Sequence, residues 1–195
     1  MLWRFRFGKI GDSDPAPRFE VVSAPNQVVQ AVKESESSPT KQLQLEFWTA
    51  VRDALQKTGK FASLKAARGR NWFDIAIGSS QMTLSLLANT WDKKVGVLVY
   101  LRSQAAETVL AALAPQRADI EAALGEPLEW NPHPEKQDKV IRLLRPADIS
   151  IRSEWPQIIS WLTQHAVAFK ETFTPRLLAV NLSGESTTVD LGAGV

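Results

Sequence analysis

The sequence predicts an α+β domain in which helices cover one face of a mixed or antiparallel sheet of about five to six strands. The main observation is the stretch NWFDIAIGSSQMTLSLLANTWDKKVGVLVYL, residues 71–101, which alternates with a period of two through successive runs. In the first run Phe73, Ile75 and Ile77 face one way and Trp72, Asp74 and Ala76 the other. In the next, Met82, Leu84 and Leu86 alternate with Thr83, Ser85 and Leu87. In the last, Val95, Val97, Val99 and Leu101 alternate with Gly96, Leu98 and Tyr100. That period belongs to strands with one buried face. Gly78-Ser79-Ser80 and Asp92-Lys93-Lys94 supply turn chemistry between the runs. Segments before and after carry apolar residues at helical spacing, as helices packed on that buried face require.

Taken in order, residues 1–39 read as an arm and linker. Trp3, Phe5 and Phe7 alternate with Arg4 and Arg6, Gly11 to Pro15 is turn chemistry, and Phe19 to Val22 suits another short strand. The polar run KESESSP, 33–39, reads as linker. A single α+β domain is expected over 40–180. Ser38 caps its first helix with Pro39 at the first helical position. Leu43, Phe47, Val51, Ala54 and Leu55 form the buried stripe, Trp48 widens it, and Gly59 ends it. Phe61 to Lys65 is expected to start the sheet. After the central stretch, a second helix begins near Ser103 with Val109, Leu110 and Leu113 inward. Pro115 predicts a kink or restart before Ile120 and Leu124, and Gly125 closes it. Leu128 to Trp130 and Lys139 to Leu144 read as two further strands. The last helix places Trp155, Ile158, Ile159, Leu162, Ala166, Phe169 and Phe173 on one face, with Ser153 as cap and Thr174-Pro175 as stop. The predicted order is helix, three to four strands, helix, two strands, helix. The tail, 181–195, is small and polar and is expected to carry little order.

Composition narrows the function classes. At 195 residues with 44% apolar content, the chain suffices for one core. A net charge of +2 says little about an anionic partner; only the distribution of charge can. Cysteine is absent, which excludes disulfides, thiolate nucleophiles and cysteine-bound metal, and fits a cytoplasmic location. No apolar run approaches the ~20 residues of a membrane span, and MLWRFRFGKIGD lacks the features of a secretory signal.

No catalytic constellation, metal site or cofactor is expected. A nuclease of the restriction type needs an aspartate on one strand and Glu-x-Lys on the next, so that two carboxylates hold magnesium. Asp74 suits the first position, but MTLSLLAN and VGVLVYL contain neither acid nor lysine, and Asp92, Lys93 and Lys94 occupy a turn. His133 reads as an exposed loop residue between two prolines and His165 as partly packed on the last helix. Serines show no nucleophile-elbow pattern, and Gly69, Gly78 and Gly96 are isolated rather than part of a phosphate-binding loop.

Nucleic-acid binding has more support. Lys65, Arg68 and Arg70 lead into Trp72, and Lys93 and Lys94 follow Trp91 in a turn of the same sheet. Phosphates take cations and exposed bases stack on aromatic rings, so these lysines and arginines are the candidate contacts, with Trp72 or Trp91 as stacking surfaces. Set against this is the plainer reading, in which both tryptophans pack under helices and the basic residues only keep loops soluble. A third reading makes the domain an assembly module presenting Trp48, Trp130 or Trp161 to a protein partner. Where the rings point discriminates between them.

The segments LQLEFWTAVRDAL, NWFDIAIGSSQMTLSLLANTWDKKVGVLVYL, IEAALGEPLEW and EWPQIISWL resemble a bacterial and archaeal family catalogued as domain of unknown function 4268. The resemblance spans about Thr40 to Val180. Its members often form the carboxyl domain of longer proteins whose front half resembles a restriction-type nuclease, and GDSDPAPRFEVVSAPN looks like the junction. The resemblance therefore implies a non-catalytic accessory module in a DNA-processing or defence setting, with DNA or a nuclease-like protein as partner. Pro115 departs from the family's continuous second helix.

Overall fold

In the computed structural model the described residues are 3–8, 16–21, 38–78 and 82–180. They fall in two units, Met1–Gln42 and Leu43–Val195. In the first unit, strands β1 (Trp3–Gly8) and β2 (Ala16–Val21) pair antiparallel with Phe5 opposite Phe19. The second of these strands begins earlier than Phe19, where the sequence placed its start. The predicted turn at 11–15, most of the linker and the tail at 181–195 lie outside the described residues, as do Ser79 and Ser80.

Helix α1 (Pro39–Lys57) starts as its sequence requires. The Ser38 carbonyl accepts the Gln42 N–H at 3.0 Å, and its hydroxyl accepts the Lys41 N–H at 3.4 Å. Gly59 ends it with φ +66, a left-handed conformation that most side chains resist. Phe47, Trp48, Val51 and Leu55 are fully buried; side chains of this size each contribute ~1.5–3 kcal/mol on burial.

The sheet is wholly antiparallel. Strands β3 (Trp72–Ala76), β4 (Met82–Asn89), β5 (Lys94–Leu101), β6 (Glu129–Trp130) and β7 (Lys139–Pro146) lie in the order β3-β4-β5-β7-β6. The alternation read from the sequence sets its two faces. Phe73, Ile75, Ile77, Met82, Leu84, Leu86, Val95, Val97, Val99, Leu101, Ile141 and Leu143 are buried. They pack against α1, α2 (Ser103–Leu113) and α4 (Trp155–Ala179) in one continuous core. Opposite-parity residues form the other face, where register aligns Trp72, Leu87, Gly96 and Leu144 in one row and Asp74, Ser85, Leu98 and Arg142 in the next.

Pro115 breaks the second helical segment as expected. Residues Ala114–Gln116 form a single tight turn, after which α3 (Arg117–Leu124) restarts and ends at Gly125, φ +71. Four expectations fail. Phe61 to Lys65 makes no strand: Phe61 is buried and Leu64 packs on the core, a spacing of three that anchors a loop without the period-two ladder of a sheet. Lys94 opens β5 instead of belonging to the turn. Ser153 does not cap the last helix; it lies in the turn Arg152–Glu154, and Glu154, at the capping position, makes no side-chain cap hydrogen bond. That helix also passes through Pro175 to Ala179, because Phe173 and Leu177 continue the buried face one turn apart. Their burial outweighs the lost proline N–H, and Arg176 Nη1 donates to the Thr172 carbonyl at 2.6 Å.

Candidate nucleic-acid interface

Strands β3 and β5 begin, and β4 ends, at the same end of the sheet. The loop leading into β3 and the turn from β4 to β5 are therefore neighbours, and these two segments, with the first residues of β3 and β5, carry every candidate contact residue. Lys94, Asn89 and Pro146 form a row beside Trp72, Leu87, Gly96 and Leu144. Two strand spacings separate β3 from β5, about 10 Å.

The loop is held from beneath. Phe61 is buried, with Lys170 Nζ 5.1 Å from its ring centre and bonded to the Lys60 carbonyl. Trp48 Nε1 donates to the Arg70 carbonyl at 2.6 Å, and the Ala88 N–H donates to the Asn71 carbonyl at 2.8 Å. The Arg70 N–H closes a tight turn onto the Arg68 carbonyl at 2.8 Å. With its backbone fixed, the loop leaves the side chains of Lys65, Arg68 and Arg70 exposed. These three, with Ala66, Trp72, Phe73 and Asp74, line an open groove of about 420 Å³. The Arg70 guanidinium lies 5.3 Å from the Trp72 ring centre, and that ring is 43% exposed. Among the described residues, none of the three cations is paired with a carboxylate.

Asp74, which also lines the groove, accepts a hydrogen bond from Ser85 Oγ at 2.5 Å. Strand alternation puts both on the open face, but only the β3–β4 register makes them neighbours, and nothing in spacing alone marked the pair as part of a site. The β4–β5 turn differs in character. Asn89 Oδ1 accepts the N–H groups of Trp91 and Asp92 at 2.9 and 3.1 Å, and Asn89 Nδ2 donates to Asp92 at 2.7 Å. This closed turn holds Trp91 out, 91% exposed. Lys93 takes φ +49, and its Nζ meets Asp148 at 3.1 Å. Two hydrogen bonds from Ser150, side chain then backbone, together with Lys93, hold the Asp148 carboxyl below its usual range. Lys94 is exposed.

The structure thus brings Lys65, Arg68, Arg70 and Trp72 into one groove and leaves Lys93 engaged with Asp148. Trp48 does not present a face to any partner, being fully buried; its nitrogen serves the loop. Trp130 is half-buried, donating to Glu121 at 2.9 Å beneath Arg117, and Trp161 is half-buried against His165 and Arg145. His165 Nδ1 bonds the Trp161 carbonyl at 2.9 Å, while His133 is exposed, 3.7 Å from Glu135.

A second hollow of about 380 Å³, which sequence reasoning missed, lies between Tyr100 and 131–140. Tyr100 donates to Asp138, and that bond, followed by burial, raises the phenol above its ordinary value. Alternation alone placed Tyr100 outward. Among the described residues, no group of three or more His, Cys, Asp and Glu side chains stands where it could hold a metal ion, and no helix is long and apolar enough to cross a membrane.

Fold and site define an α+β layered domain with helices on one sheet face and a basic, aromatic groove at the end of the other. The chain belongs to the family described as domain of unknown function (DUF4268), whose pattern matches residues 43–177. No curated protein and no solved structure matches it.

Proposed function

We propose that this domain is a non-catalytic module that binds nucleic acid at the end of its sheet, within a DNA-processing or defence setting in the cytoplasm. The observation that carries the reading is the groove itself: three exposed cations with no carboxylate partner among the described residues, beside a half-exposed tryptophan, on a loop whose backbone is pinned. Cations contact phosphates, the aromatic ring stacks on a base, and the pinned backbone lowers the ordering cost of binding. Lys94 and the projecting Trp91 extend the same surface. Both rings are accessible, the arrangement expected of stacking platforms rather than of core tryptophans.

Asp74 bonds to Ser85, a neutral partner, and does not fit the carboxylate pair that an active nuclease requires. The assembly reading is weaker for the loss of Trp48 as an exposed anchor. Fluorescence anisotropy of labelled single-stranded and duplex DNA over a salt series tests the proposal. Affinity that falls steeply with salt is the expected result; no binding at low salt overturns it.

A further inference from the structure

We infer that the groove selects single-stranded nucleic acid carrying guanine, with Asp74 as the residue that reads the base; this deepens the proposed function and rests on it. A carboxylate is out of place in a surface made only for phosphate, because it repels the ligand its neighbours attract. Asp74 nevertheless lines the same groove as Lys65, Arg68 and Arg70, and among the described residues no cation pairs with it. Instead Ser85 Oγ donates to Oδ1 at 2.5 Å, which orients the group and leaves acceptor capacity unspent.

Position gives that capacity a use. Trp72 and Asp74 are two residues apart on β3 and so project from the same face, about 7 Å apart. A base stacked on the exposed Trp72 ring brings its edge to Asp74 while its phosphates reach the arginines on the loop. An ionised carboxylate only accepts hydrogen bonds. Guanine offers two adjacent donors, N1–H and the N2 amino group. Adenine and cytosine place an acceptor beside their single amino group, and thymine or uracil flanks one N–H with two carbonyls. The carboxylate therefore favours guanine and is repelled by the edges of the others. A paired duplex buries that edge, so the strand must be single.

The test is anisotropy with labelled strands of about ten nucleotides, within the usual range of single-strand site sizes. One strand is all thymine, one carries a central guanine, and one carries hypoxanthine there, which lacks the N2 amino group; each is made in deoxy and ribo form. The expected result is about tenfold tighter binding of the guanine strand, with hypoxanthine between, in whichever sugar form is bound. In Asp74→Asn the preference disappears and the thymine strand binds more tightly than to wild type, since a charge that repels its carbonyl edge and its phosphates has left the groove. Thermal melting checks that the variant is folded, and Ser85→Ala, which frees the carboxylate from its orienting bond, reduces the preference in part. Equal binding of all strands overturns the guanine reading and leaves nucleic-acid binding standing. No binding of any strand overturns both.

Discussion

The indole N–H of Trp48, on the core side of α1, donates to the carbonyl of Arg70 at 2.6 Å. One buried ring thus joins the core to the most basic loop of the domain. It also packs edge-on against Phe47 at 5.2 Å and stacks with Phe73 at 5.8 Å. The loop is a surface feature with a core anchor, so its geometry depends on a residue that touches no ligand.

Trp48→Phe keeps an aromatic ring in the core and removes the donor. Leaving the Arg70 carbonyl without its partner costs about 1–3 kcal/mol, with a further loss from the smaller ring. The variant is expected to unfold at lower denaturant, to exchange backbone amides faster at 68–71, and to bind labelled strands more weakly. Unchanged exchange in the loop would remove the anchoring role.

Arg68→Ala with Arg70→Ala should weaken binding without lowering the melting temperature much, because both side chains are exposed and neither pairs with a carboxylate among the described residues. The slope of log K against log salt should flatten by about 0.7 for each phosphate of a single strand that is no longer neutralised. Lys93→Ala is expected to do less, because the Lys93 charge is engaged with Asp148. A salt slope that matches wild type in the folded double variant would take both arginines out of the interface.

The fold was legible where one physical signal dominated. Period-two alternation over 72–101 assigns the buried and open faces, and Pro115 with Gly125 marks the break and end of the second helical segment. It was less legible where tertiary burial overrode local chemistry: Leu177 carries α4 through Pro175, and Phe61 with Leu64 anchors a loop that resembles a strand in composition. The basic cluster was visible as charge beside an aromatic residue. The carboxylate in its lining was not, because Asp74 and Ser85 become neighbours only through the β3–β4 register, and Trp48 serves the loop from 22 positions away.

Gly96 marks a close approach between β5 and β7. A Cβ built there would fall 2.4 Å from Leu144 Cδ2 and 2.7 Å from the Leu143 carbonyl oxygen. The leucine tip can turn aside, but the carbonyl belongs to the paired strand. Gly96→Ala is therefore expected to destabilise by about 1–3 kcal/mol, the range for overpacking. Adding Leu144→Ala should not restore the loss, since the backbone contact persists. Denaturant midpoints of the single and double variants decide this, and full recovery in the double would place the whole effect on the leucine.

Acid should loosen the junction between α3 and β6 through Glu121. Its carboxylate accepts the Leu128 N–H at 3.1 Å, Trp130 Nε1 at 2.9 Å and Arg117 Nε at 3.1 Å. These bonds, the Leu128 backbone first, hold its pKa below the ordinary 4.5. A folded-state value below the unfolded one means that unfolding takes up a proton in this range. The contribution is therefore complete above pH 4.5 and is lost as pH falls through the folded value. Glu121→Gln removes the titrating charge while keeping an acceptor and the side chain's size. Stability of wild type and variant, measured by denaturant unfolding from neutral pH downward, should differ most near neutrality and converge on acidification. A constant gap across that range would show that the bonds matter but their protonation does not.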